Sequence, residues 1–144
     1  MVGEPWVAAV LLLRDDGAVL LQHRDDKPEI SHPGQWVPPG GHSEPGESME
    51  TCARREFLEE TSYRVSDLTL LTEFIDSHAE GFPPLRLAVF WCRYDGVQPL
   101  TCHEGQALEF IPRVLAAKYP IPRYLVDLWD RALEAARLVV VVES

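Results

Sequence analysis

Gly41-His42-Ser43-Glu44-Pro45-Gly46-Glu47 and, a short step on, Arg55-Glu56-Phe57-Leu58-Glu59-Glu60 concentrate the acids of this chain. Glu44, Glu47, Glu50, Glu56, Glu59 and Glu60 fall within seventeen residues. With residues 48–61 helical, Glu56, Glu59 and Glu60 stand at i, i+3 and i+4 and share a face. Like charges at that spacing repel, and acids in a helix's last turn oppose its dipole. Such a cluster calls for a compensating cation, and ligands that are all oxygen suit Mg²⁺ or Mn²⁺. Met49, Cys52 and Ala53 mark the apolar stripe of the helix, and continuing that stripe reaches the same three acids. The alternative is an ordinary surface helix rich in glutamate.

The approach to the helix favours the first reading. Pro38-Pro39-Gly40-Gly41 and Pro45-Gly46 make a glycine- and proline-rich loop. Such a loop lets backbone come close to a phosphate, and helix N-termini favour anions. Ser48 is placed to cap the helix, with Glu50 in the first turn.

Outward from this segment, Trp6–Leu13 and Ala18–His23 read as strands joined by the turn Arg14-Asp15-Asp16-Gly17. Asp25–Pro33 is a polar loop. Further strands are expected at Leu68–Ile75, Leu85–Tyr94 and Ala107–Ile111, the first two joined by the loop Asp76–Pro84. Pro112 is placed to open a short helix through Lys118. A clearer helix carries Leu125, Leu128, Trp129, Ala132, Leu133 and Ala136 at helical spacing after Pro122. Strands interspersed with two main helices make an α/β chain, a mixed sheet covered on both faces. The 144 residues are expected to form one domain over 1–144, burying roughly 68–70 % of the unfolded surface.

A net charge of −10 argues against a grip on a nucleic-acid backbone. It also opposes a polyphosphate substrate, unless metal arrives with that substrate and arginines help locally. The apolar runs Val7–Leu13 and Val139–Val142 are too short to span a bilayer. Cys52, Cys92 and Cys102 lack metal-ligand spacing and read as reduced thiols, with a cytoplasmic setting as the default. The valine run has strand character. It leaves pairing with a second copy as a homodimer open beside a tucked tail.

The acidic segment resembles the signature of the Nudix hydrolases: Gly, five residues, Glu, seven residues, then Arg-Glu-U-x-Glu-Glu-x-Gly-U with U apolar. Gly41, Glu47, Arg55, Glu56, Glu59 and Glu60 all fall in register. Six such matches by chance have odds on the order of one in ten million at a given start. Phe57 and Tyr63 fill the U positions, and Ser62 replaces the final glycine. A serine held left-handed there costs on the order of 1 kcal/mol. Trp36-Val37-Pro38-Pro39-Gly40-Gly41 and the later Glu104-Gly105 pair extend the likeness.

The resemblance implies an α/β/α sandwich and water attack on a nucleoside diphosphate linked to another group. It implies Glu47, Glu56, Glu59 and Glu60 as metal ligands for Mg²⁺ or Mn²⁺. It implies that one of these acids, or Glu104, acts as base and that Arg55 orients an acid of the signature. Gly40, Gly41, Arg24, His42 and Phe82 are the candidate contacts to a small-molecule nucleotide, with Trp36 also able to stack on a base. Arg24 reads equally as a solvated strand-end arginine, the alternative for His42 is an exposed loop histidine, and Phe90 and Trp91 read as core. Glu109 reads as the outer face of its strand. The favoured reaction cleaves a nucleoside triphosphate, plain or modified, to the monophosphate and pyrophosphate. A nucleotide-sugar or dinucleotide substrate is the alternative, and a nucleotide-sensing module without catalysis is the third reading.

Overall fold

Trp6–Leu13 (β1) is apolar almost throughout because it lies at the centre of a sheet covered on both faces. The computed structural model describes residues 6–27, 32–76 and 85–138. The other strands are Val19–His23 (β2), Trp36–Val37 (β3), Gly40–His42 (β4), Thr69–Asp76 (β5), Leu85–Arg93 (β6) and Ala107–Ile111 (β7). Their order is β3-β2-β1-β6-β5, with β4 also pairing β1 and β7 also pairing β2. β1 and β6 run parallel, from Trp6↔Arg86 to Leu13↔Arg93, and the other pairings are antiparallel. The mixed sheet expected from the sequence is therefore present.

Alternate residues of β1 feed two cores. Leu11 and Leu13 join Leu87, Val89 and Ile111 under the helix Arg123–Ala136 (α2), which buries Leu125, Leu128, Trp129, Ala132, Leu133 and Ala136. The Trp129 indole N–H donates to the Gly17 carbonyl at 2.9 Å and ties α2 to the turn between β1 and β2. Ala8, Val10 and Leu12 join Ala88, Phe90 and Cys92 under the helix Met49–Thr61 (α1), which contributes Cys52, Ala53 and Phe57. Removing the fully buried Phe57 side chain would cost about 3–5 kcal/mol. Between β7 and α2 lies a 3₁₀ helix, Arg113–Lys118. Among the described residues no helix is long and apolar enough to cross a membrane.

Three expectations need correction. The Gly40-Gly41 segment is not a free loop but the strand β4, in register with β1 at Ala9↔Gly40 and Ala8↔Gly41. The buried stripe of α1 runs through Cys52, Ala53, Phe57, Glu60 and Thr61, so only one of the three late acids is buried. Trp36 is 93 % shielded from solvent at 7 % exposure, stacked on His23 at 4.6 Å and edge-on to Tyr119, so its face is already covered. Phe90 is core as expected, with Trp91 packed against the other core. Phe82 and the Val139–Val142 run lie outside the described residues.

Candidate active site

α1 begins where the Ser48 side chain accepts from the Thr51 N–H, as the sequence implied. The helix rests on β1 and β4, which brings its acids to the glycine pair. A Cβ on Gly41 would stand 2.3 Å from the Glu56 carboxyl carbon, and one on Gly40 would stand 2.2 Å from the Ala8 carbonyl oxygen. At Gly40 the β1 backbone leaves no room for a side chain, and at Gly41 a side chain would displace the Glu56 carboxylate. The Gly40 N–H donates to Glu60 Oε2 at 2.8 Å. In this arrangement the glycine pair receives the acids of α1.

Arg55 is the hub of the outer acids. Its Nε and Nη2 donate to Glu47 at 2.7 and 2.9 Å, and its Nη1 donates to Glu56 at 2.9 Å. Nη1 also reaches Glu59 at 3.3 Å, and Nη2 donates to the His42 carbonyl at 3.0 Å. The guanidinium holds Glu47 down to about 2, and the acids around it raise Arg55 above its ordinary range. The Glu59 side chain, 57 % exposed, is the most open of the three late acids. His42 is exposed, and its backbone oxygen rather than its ring meets Arg55.

Glu60 lies deeper, at 6 % exposure. Burial first, then its contact with the Glu104 carboxyl, pushes its pKa up to about 9, with Glu56 adding repulsion. The segment carrying Glu104 is strapped to the end of α1. Thr101 N–H donates to the Thr61 carbonyl at 2.8 Å and His103 N–H to the Glu60 carbonyl at 3.1 Å. On the other side the buried Gln22 amide donates to the Glu104 carbonyl at 2.9 Å, and Gln106 N–H donates to the His23 carbonyl at 2.7 Å. Ser62 takes the left-handed conformation, φ 64°, that a glycine would take without strain. Its hydroxyl shares a hydrogen bond of 2.6 Å with His103 Nε2.

The structure thus groups Glu47, Glu56 and Glu59 around the Arg55 guanidinium, and Glu104 and Gly40 around the Glu60 carboxyl. Glu56 connects the two groups. Arg24, at the end of β2, has a buried Nε without a hydrogen-bond partner among the described residues. Gln22 and His103 were missed in the sequence. A lone glutamine in the apolar run Val19-Leu20-Leu21-Gln22 was the available signal for the first.

The donors fit a hard divalent cation. All are carboxylate oxygens, and Glu60 is a buried acid pressed by two others, a repulsion that a cation would relieve. Among the described residues no three acidic, histidine or cysteine side chains stand together as a finished metal cage. Arg55 instead lies among Glu47, Glu56 and Glu59. Arg55 meets Glu56 through Oε1 and holds Glu59 only at 3.3–3.4 Å, so it can orient both while an ion takes their other lone pairs, whereas Glu47 has both oxygens on the guanidinium.

The NUDIX domain model matches residues 4–126. The m7GpppN-mRNA hydrolase NUDT17 of Xenopus laevis is 38 % identical over 77 residues, 54 % of this chain and 25 % of that protein. The nucleoside triphosphatase NudI of Escherichia coli is 44 % identical over 62 residues, 43 % of this chain and 40 % of that protein. The match therefore spans well under half the length of either curated relative. The NUDIX domain of Shewanella oneidensis NrtR, solved with ADP ribose, has the same fold, with a TM-score of 0.76 at 17 % identity over 94 % of this chain and 90 % of that one. With the signature acids gathered at the end of α1 and most of its length matched, the chain belongs to the NUDIX domain family.

Proposed function

We propose that this protein is a divalent-metal-dependent diphosphatase that cleaves a nucleoside triphosphate, plain or modified, to the monophosphate and pyrophosphate. The observation that carries this reading is the buried Glu60 carboxyl, held by the Gly40 N–H and pressed by Glu56 and Glu104. A binding module without catalysis has little physical reason to keep three acids in that position. The relatives named as a nucleoside triphosphatase and an mRNA cap hydrolase both act on phosphoanhydride-bearing nucleotides, which supports the substrate class.

Mg²⁺ or Mn²⁺ held by Glu56, Glu59 and Glu60 would neutralise the diphosphate and acidify a bound water. Glu47 acts through Arg55, fixing the guanidinium that aligns Glu56 and Glu59. Glu104 or Glu56 takes the proton from the attacking water. The Arg24 guanidinium, whose buried Nε lacks a hydrogen-bond partner among the described residues, would meet a phosphate oxygen and counter the net negative charge of the chain. Gly40 and Gly41 line the floor beneath the acids, and His42 stands exposed beside them. Residues 1–144 act as one catalytic domain in this reading. Three free thiols agree with a reducing, cytoplasmic setting.

The test is a panel of nucleoside triphosphates, nucleotide-sugars and dinucleotides, incubated with and without Mg²⁺. Pyrophosphate released from a triphosphate only with metal supports the reading. Cleavage confined to nucleotide-sugars or dinucleotides moves the substrate to that class, and binding without cleavage removes the enzyme reading.

A further inference from the structure

Ser62 has a worse backbone for its position than glycine, yet its side chain is engaged. At φ 64° a non-glycine residue is strained, and glycine would close the helix freely. The hydroxyl of Ser62 and Nε2 of His103 are 2.6 Å apart, and Glu104 is the next residue after that histidine. Gly105 follows at φ 80°, where a Cβ would stand 2.5 Å from the His23 carbonyl oxygen, so the strap lies flat on β2. From the β2 side Gln22 and Gln106 hold it, and from the α1 side the backbone bonds of Thr101 and His103 do. The Ser62–His103 bond is a side-chain fastening on the α1 side, adjacent to the residue whose carboxyl meets Glu60.

We propose that Ser62 and His103 form a positioning clasp that holds Glu104 against Glu60 and so sets how tightly the acid cluster takes a divalent ion. The clasp rests on the reading of this cluster as a cation site, but it concerns binding and not turnover. Glycine at position 62 relaxes the helix exit while freeing His103. The clasp therefore predicts an unusual pair of effects: unchanged or higher stability together with weaker metal binding.

The experiment follows free Mn²⁺ by its electron paramagnetic resonance signal in titrations of the whole chain. The proteins compared are wild type, Ser62→Gly, Ser62→Asn, Glu104→Gln and the Ser62→Gly/Glu104→Gln double variant. Ser62→Gly is expected to weaken Mn²⁺ binding about three- to tenfold, with a Tm at or above wild type. Ser62→Asn, which tolerates the left-handed backbone and keeps a hydrogen-bonding side chain, restores the affinity. In the Glu104→Gln background Ser62→Gly has no further effect, because the clasp acts through that carboxyl.

Unchanged affinity in Ser62→Gly overturns the clasp, as does a loss that simply adds to that of Glu104→Gln or that Ser62→Asn fails to restore. A wild-type protein that binds Mn²⁺ but cleaves no nucleotide removes the proposed reaction and leaves the clasp standing. One that binds no Mn²⁺ overturns both.

Discussion

Arg55 grips Glu47 with two parallel bonds, Nε to Oε2 at 2.7 Å and Nη2 to Oε1 at 2.9 Å. The fork spans the loop before α1 and the middle of the helix, so it fixes how the acids of one meet those of the other. The same guanidinium touches Glu56 and Glu59, yet Glu60 on the buried side accepts the Gly40 N–H instead. The acid cluster is thus half neutralised by its own arginine and half strained by repulsion.

Arg55→Lys should show what the fork contributes. An ammonium is a point charge and cannot make the paired bonds to Glu47 while reaching Glu56. Turnover is expected to fall about 10–100-fold, the usual effect of losing a partner that orients a metal ligand. Steady-state kinetics beside a thermal melt checks this, and wild-type turnover in the lysine variant would remove Arg55 from the site.

Glu60 makes the stability of the metal-free protein depend on pH. The folded chain keeps this proton from about 4.5, where a free carboxyl loses it, up to about 9. Unfolding releases the proton across that window, so stability falls as pH rises through it. Glu60→Gln should flatten the fall and give the higher Tm at pH 8 in chelator. Glu47 has the opposite sign. Its depressed pKa, about 2, adds stability that is present above 4.5 and fades as pH drops toward 2. Melts from pH 3 to 9 separate the two.

Much of this was legible in the sequence because local patterns governed it. The strands Trp6–Leu13 and Ala107–Ile111 were bounded correctly, since turn residues and a proline delimit them. The cap at Ser48 and the helix to Thr61 followed from one serine and the helical spacing. What escaped depended on tertiary approach. Helical periodicity put Glu56, Glu59 and Glu60 on one face without telling that Phe57 and Thr61 are buried and Glu59 is open. The glycine pair read as a phosphate loop because its sequence does not reveal that β1 lies against it. The Ser62–His103 contact joins residues 41 apart in the chain, beyond the reach of any local pattern.

Gly41→Ala tests the close approach of β4 to α1. Its methyl would fall within 2.8 Å of all three carboxyl atoms of Glu56. Glu56 must swing away, and turnover should drop about 10²-fold, the effect of misplacing a reacting group by an ångström. Folding should survive, as judged by circular dichroism. Full activity would show that Glu56 does not need this position.

The thiols offer a check on the cores. Cys52 and Cys92 are buried, and desolvation pushes them up to about 11 and about 12, whereas Cys102 is exposed. A disulfide-exchange reagent at pH 8 should label one thiol per native chain quickly and all three only in denaturant. Rapid labelling of three thiols in the native protein would contradict the packing of α1 and β6.

Glu59 gives the most direct test of the metal-dependent diphosphatase itself, because its open side chain has little part in the fold and its loss is read as chemistry. The measurement is Mg²⁺-dependent pyrophosphate release from a nucleoside triphosphate by wild type and Glu59→Gln, with melts alongside. The account predicts a loss of about 10²–10⁴-fold at unchanged or higher Tm. Equal turnover by the two proteins, or none by wild type with any triphosphate, would contradict it.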